Sequence, residues 1–227
     1  MIDKYLNQII CGDCLEVMQG MPDKCVDLVL TDPPYGMNYQ CGTRKIKSIK
    51  IKNDNTLTWL IPFATECFRV LKDNTHLYLF CNDYAISDFR KTFELVGFKP
   101  KRALVWIKNQ MTMGDLEGDY GNSTEFLLFF HKGRKKLNGN RTDNILRFNK
   151  VSCDLHPTTK PVPMFEYLIN KSSELNQTIL DPFLGSGTTA IAAKQTDRQF
   201  IGIELSPEYC EIARQRLAKT YYNEELF

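Results

Sequence analysis

The chain has 227 residues, 43% of them hydrophobic and 25% charged, with a formal net charge of +2. That balance supports one good-sized α/β domain with a real core and excludes a disordered chain, a collagen-like repeat or a coiled coil. The longest uncharged apolar run, Phe126 to Phe130, is far short of the roughly 20 residues of a membrane span.

In chain order, the pattern predicts strands over 7–11 and 26–31, a helix over 57–72, a strand over 75–81 and a helix over 83–96. Strands over 101–107 and 125–131 come next, then a helix over 161–175, a strand over 177–181, a helix over 187–196, a strand over 199–204 and a helix over 206–220. In the second helix Ile86, Phe89, Phe93 and Val96 line one face, and Gly97 can end it. In the last, Ser206 is a natural N-cap and Pro207 a natural first residue. Strands alternating with helices specify an α/β domain with a doubly wound, mostly parallel sheet. Three stretches read as irregular: 36–56, 108–124 and 132–160. Connections of that length are usually functional loops, which gives one rim of the sheet over to binding.

The start, Met1-Ile2-Asp3-Lys4-Tyr5, has no basic segment leading into an apolar one, so a cytoplasmic protein is expected. Its eight cysteines then read as reduced thiols, and Cys11 and Cys14 have no second pair at metal spacing, so no metal is expected. Positive charge is local. Arg44, Lys45, Lys47, Lys50 and Lys52 form one cluster, and Lys132, Arg134, Lys135 and Lys136 a second. Both suit phosphate contacts, although a solvated loop carries such charges equally well.

Two motifs carry chemistry. From Ile179 the chain reads Ile-Leu-Asp-Pro-Phe-Leu-Gly-Ser-Gly-Thr-Thr-Ala, a strand ending at Asp181, a glycine turn and a helix. Glycines let the backbone approach a ligand closely, and a carboxylate at Glu204, at the end of the next strand, can accept from both hydroxyls of a ribose. An adenosine-type ligand follows. The second motif, Val26 through Asp32-Pro33-Pro34-Tyr35-Gly36, runs an apolar strand into a stiff double-proline turn. A carboxylate, a free carbonyl and an aromatic ring held together there match a planar ring bearing an exocyclic amino group.

Together these motifs resemble the amino-group DNA methyltransferases that use S-adenosylmethionine, over nearly the whole chain. With Asp-Pro-Pro-Tyr first and the glycine loop last, the order is that of the permuted β group, which implies a Rossmann-like sheet of about seven strands, one antiparallel. Ile9 to Leu15 resembles the segment whose aspartate, here Asp13, contacts the cofactor's adenine. His156-Pro157-Thr158-Thr159-Lys160-Pro161 resembles the H-P-T-x-K-P segment beside the methionine end, and Ser123 to Gly133 the strand before the recognition region. The resemblance implies catalysis by Asp32, Pro33, Pro34 and Tyr35. It implies cofactor binding by Asp13, Lys160, Asp181, Phe183, Gly185, Ser186, Gly187, Thr188 and Glu204.

The expected partner is double-stranded DNA, met by Arg44, Lys45, Lys47, Lys50 and Lys52 and by Arg134, Lys135 and Lys136, with recognition shared between 36–56 and 133–155. No membrane partner is expected, a homodimer is left open, and no nuclease segment is evident, so a partner nuclease stays unknown. The base expected is adenine, giving N6-methyladenine, because cytosine enzymes of this type more often carry serine at the first motif position; cytosine N4 is the alternative. A nicotinamide-dependent dehydrogenase also uses such a glycine loop, but the 23 residues after Glu204 are too few for its second half. A non-catalytic nucleic-acid-binding module leaves Asp32, Tyr35 and Glu204 without a shared purpose.

Overall fold

The segment Val26–Thr31, apolar except for Asp27 and Thr31, is buried at every position and forms an inner strand of the sheet. The computed structural model describes residues 1–34, 59–111, 116–150 and 160–220. Among them the order is β1 (Gln8–Cys11), α1 (Cys14–Gln19), β2 (Val26–Thr31), α2 (Leu60–Val70), β3 (Leu71–Cys81) and α3 (Ile86–Val96). Then come β4 (Lys99–Pro100), β5 (Leu104–Ile107), β6 (Thr124–Lys132) and β7 (Ile145–Arg147). The chain continues through α4 (Val162–Ser172), β8 (Thr178–Asp181), α5 (Thr188–Gln195), β9 (Gln199–Glu204) and α6 (Pro207–Ala218).

The strands lie in the order β1-β9-β8-β2-β3-β6-β5-β7, and β4 also pairs with β6. Among the described strands β6 alone runs against the rest, being antiparallel to β3, β4 and β5. The doubly wound, mostly parallel sheet expected from the sequence therefore forms, with nine strands where about seven are expected. The additions are β4, with two residues, and β7, with three, both too short to leave a period-2 signature. α1 is likewise not foreseen; its six residues are capped by Asp13, which accepts from the Leu15 N–H at 2.8 Å. β3 starts at Leu71, ahead of the expected residue 75; a register shift between Val26 and Leu28 and a left-handed Asn74 interrupt its alternation and hide this extension from the sequence pattern.

Strand alternation then splits the core in two. Val29, Leu77, Leu79, Leu128, Phe130, Leu180 and Ile201 pack under α1, α2 and α3, with Phe63, Phe89 and Phe93 at their centre. Leu28, Leu30, Tyr78, Phe80, Leu127, Phe129 and Ile179 face the other way, under α4, α5 and α6. Among the described residues no helix is long and apolar enough to cross a membrane.

α5 sits close to its neighbours because Gly187 precedes it with φ +91°, and a Cβ there would lie 2.9 Å from the Ala213 Cβ of α6. Gly187→Ala is therefore expected to destabilise the fold by about 2–4 kcal/mol, combining left-handed strain with overpacking. Urea unfolding measures this, and an unchanged midpoint would contradict the packing described.

Candidate active site

β2 and β8 are parallel neighbours, in register at Leu28 with Ile179 and Val29 with Leu180. Each leads into a carboxylate at its carboxyl end: β8 finishes on Asp181, and Asp32 follows β2 directly. This is where strands from the two ends of the sequence meet, the place where open α/β sheets bind ligands. Asp181 is buried and joins the two turns. The Thr31 hydroxyl donates to its Oδ1 at 2.7 Å, the Phe183 N–H donates to the same oxygen at 3.1 Å, and the Thr189 hydroxyl donates to Oδ2. Burial pushes its carboxyl up to about 6, against the pull of these three donors.

Asp32 has one oxygen engaged and one idle. Oδ2 accepts from the Lys160 ammonium at 2.6 Å, whereas Oδ1 is buried with no hydrogen-bond partner among the described residues. Burial raises the Asp32 carboxyl above the ordinary range; Lys160 opposes this rise and Glu125 adds to it. Lys160, itself 8% exposed, also pairs with Glu125 Oε2 at 3.0 Å and lies over the Phe80 ring at 5.0 Å. Burial alone would discharge this lysine, but the two carboxylates hold its proton more firmly than usual. Glu125 Oε1 in turn meets the buried Lys108 ammonium at 3.3 Å. Burial works to raise Glu125, and the two lysines outweigh it, leaving its carboxyl below the usual range.

The sheet itself lays out this chain of four charges. Leu30, Phe80, Leu127 and Trp106 all face α4, and Asp32, Glu125 and Lys108 each lie two positions from one of them along the chain. Pro161 caps α4 at the same rim and brings Lys160 across.

The glycine loop forms the other wall. Gly185 and Gly187 take φ of +55° and +91°; at Gly187 the missing side chain makes room for Ala213 of α6, and Gly185 leaves its backbone bare at the rim. The Gly185 N–H donates to Glu204 Oε2 and the Ser206 N–H to Glu204 Oε1, both at 2.8 Å. Burial raises the Glu204 carboxyl despite these donors. The Gly12 N–H bonds the Glu204 carbonyl at 3.0 Å, which places Asp13 at the same rim. Ser186 and Thr188 are buried, with the Ser186 hydroxyl accepting from Arg216 at 2.8 Å and the Thr188 hydroxyl 3.4 Å from the Lys160 carbonyl.

The structure thus brings together Asp13, Asp32, Pro33, Pro34, Lys160, Asp181, Phe183, Gly185, Ser186, Gly187, Thr188 and Glu204 along one rim. Two of these sit differently from the sequence expectation. Asp181 accepts from Thr31, Thr189 and Phe183, and so braces the loop from within. Lys160 is on the Asp32 carboxylate. Arg134, Lys135 and Lys136, expected against DNA, are at the opposite edge. β6 is antiparallel, so Lys132 pairs with Thr75 on the amino-terminal side of β3, and the Lys135 ammonium caps the Ser172 carbonyl at 2.9 Å. Tyr35, Arg44, Lys45, Lys47, Lys50, Lys52 and His156 to Thr159 fall outside the described residues.

Sequence reasoning missed Glu125, Lys108, Thr31 and Trp59. Glu125 did leave a signal, an acid opening a strand whose next five residues are apolar. Trp59 packs its ring 5.6 Å from Phe183, and its indole N–H is buried without a partner among the described residues.

A DNA methylase family model, of the N6/N4 type, matches residues 26–153 and 136–215. YubD of Escherichia coli (strain K12), named as a methylase, is 35% identical over 94% of this chain and 91% of its own length. The type II methyltransferase M.BglII of Bacillus subtilis is 30% identical over 95% of this chain and 70% of its own. Among solved structures, the M1.HpyAVI–SAM complex aligns with a TM-score of 0.72 and 30% identity, covering 92% of this chain and 99% of that one.

The Asp181 bracing has a pH signature. Its carboxyl titrates near 6 in the fold and at 3.8 ordinarily, so between these values the folded chain binds more protons than the unfolded one. Stability from this group is therefore fully present at low pH and is lost as the pH rises through 6. Relative to Asp181→Asn, wild type should gain roughly 2.5 kcal/mol between about pH 7 and pH 4. A gap between the two urea-unfolding energies that stays constant with pH would contradict this.

Proposed function

The chain belongs to the N6/N4 DNA methylase family, S-adenosylmethionine-dependent enzymes that methylate an exocyclic amino group of a DNA base, and from this premise we propose that its own target is adenine N6. The observation that carries the chemistry is the idle Oδ1 of Asp32, a buried acceptor whose companion oxygen is already occupied by Lys160.

The residues present fit the cofactor. Glu204 gives one lone pair of each oxygen to a backbone N–H and retains another on each for a ribose diol. The side-chain-free backbone at Gly185 admits the methionine portion, beside Phe183, with Gly187 letting the loop pack closely on α6, and Asp13 accepts from the adenine amino group. S-adenosylmethionine, once bound, supplies a methyl carbon made electrophilic by its sulfonium. Everything else falls to the chain. A base turned out of the duplex presents a nitrogen whose lone pair is delocalised into the ring, which makes it a poor nucleophile. Asp32 Oδ1 and the Pro33 carbonyl accept its two hydrogens, favour the pyramidal nitrogen and aim the lone pair at the methyl carbon. Tyr35 stacks on the ring. Orientation of this kind supplies roughly 7–11 kcal/mol in favourable cases. Forming the nitrogen–carbon bond would break the methyl carbon–sulfur bond and release a neutral thioether, and the proton shed by the cationic nitrogen would pass to Asp32 Oδ1 and on to solvent. Because the nitrogen is by then cationic, Asp32 need not be a strong base.

Adenine is favoured because Asp32-Pro33-Pro34-Tyr35 resembles the form usual in adenine enzymes, while cytosine enzymes more often carry serine at the first position; the carboxylate adds a charge-assisted acceptor that would serve either base. Arg44, Lys45, Lys47, Lys50 and Lys52 are the phosphate contacts in this reading, and Arg134, Lys135 and Lys136 are left out of it. Digesting DNA methylated by the protein should return the label as N6-methyladenine, and label in N4-methylcytosine alone would overturn the choice of base. In the same assay Asp32→Ala should slow transfer by about 100-fold or more with cofactor affinity within a few-fold. Glu204→Ala should instead weaken cofactor binding by roughly 1.5–3 kcal/mol. Equal loss of cofactor binding in both variants would contradict this division of roles.

A further inference from the structure

Among the described residues Glu125 makes no hydrogen bond or ion pair with the glycine loop or the Asp-Pro-Pro turn, yet it is tied to the reacting carboxylate through one intermediary. Lys160 bridges Glu125 Oε2 at 3.0 Å and Asp32 Oδ2 at 2.6 Å, and Lys108 meets the far oxygen of Glu125 at 3.3 Å. Both lysines are almost fully buried, at 8% and 6% exposure, and two carboxylates balance them. Buried charges persist when paired, and removal of one member leaves its partner uncompensated. A four-member alternating chain is more than neutrality at Asp32 requires, since Lys160 alone would supply that. The outer pair contributes direction. A lysine ammonium is a rotatable point charge on a flexible stem. Held by Asp32 alone it could swing to either carboxylate oxygen, including the one that receives the substrate.

Resting on the amino-methylation reading above, we propose that Glu125 is a positioning residue for methyl transfer, anchoring the Lys160 ammonium on Asp32 Oδ2 so that Oδ1 stays open to the amino group. Lys108 fixes Glu125 in turn, and the Lys160 stem lies over Phe80, which closes off the remaining direction. The same arrangement sets the charge that Asp32 feels. The titratable groups around Asp32 are Lys160 and Glu125 from across the rim, Asp181 from β8 and Cys81 from the end of β3. Removing the Glu125 charge leaves Lys160 wholly to Asp32.

The test is Glu125→Gln, isosteric and uncharged, read out in two ways. In steady-state methylation of DNA, kcat should fall by about 10- to 100-fold while the Kd for S-adenosylmethionine stays within three-fold of wild type. In the protein alone, the 13C-detected titration of the Asp32 carboxyl should move to lower pH than in wild type. Because Lys108 loses its counter-charge in this variant, the double variant Glu125→Gln with Lys108→Met, which removes both charges together, is measured alongside and should behave the same way. A variant kcat within two-fold of wild type, an unmoved Asp32 titration, or a loss of cofactor affinity as large as the loss of kcat would overturn the role given to Glu125. A wild-type protein that transfers no methyl group to DNA would instead overturn the reading of the site on which it rests.

Discussion

The hydroxyls of Thr31 and Thr189 converge on one buried carboxylate, Asp181, and the geometry of the whole rim depends on that convergence. Thr31 is the last residue of the strand that delivers Asp32, and Thr189 belongs to the first turn of the helix that closes the glycine loop. Without this link the two turns would be separate surface loops on adjacent strands. With it, the Asp-Pro-Pro turn and the glycine loop are braced against one carboxylate. Catalysis by orientation requires that rigidity, because a displacement of about 1 Å costs as much as 100-fold in rate.

Electrostatics complete what packing begins. Asp32, Lys160, Glu125 and Lys108 carry alternating charge across one face of the sheet, each laid there by strand periodicity or by the cap of α4. The burial that makes isolated charges costly is the same burial that makes an unpartnered oxygen of Asp32 worth presenting to an amino group. A site that holds an idle buried acceptor is unfavourable for the empty protein and favourable once a donor arrives, which is the direction binding energy should run.

Much of this is legible in the sequence, and the exceptions have physical causes. The strands of β2, β6, β8 and β9 are clear because they are apolar runs bounded by turns, and the caps Gly97 and Ser206 do what their residue types suggest, Ser206 accepting from the Tyr209 N–H. The glycine loop and the Asp-Pro-Pro turn are recognisable as motifs. Their contact through Asp181 is not, since 150 residues separate Thr31 from Asp181. Lysine and arginine near the end of β6 show the limit most clearly. A charge cluster announces residue type and says nothing of strand direction, and because β6 is antiparallel its last residues fall at the edge away from the site. Glu125 reads as an edge charge for the converse reason: its strand begins at the active rim, so its carboxylate is drawn inward to two lysines.

In the chemistry proposed for this site, the free oxygen of Asp32 receives the exocyclic amino group while the glycine loop holds the cofactor. A crystal structure with S-adenosylhomocysteine and a DNA duplex carrying the methylated site tests it most directly. The account predicts the target base turned out of the stack with its amino nitrogen about 2.7–3.2 Å from Asp32 Oδ1, Lys160 still on Oδ2, and the cofactor's ribose on Glu204. An amino nitrogen held by other groups, with Asp32 Oδ1 turned to Lys160, would contradict it.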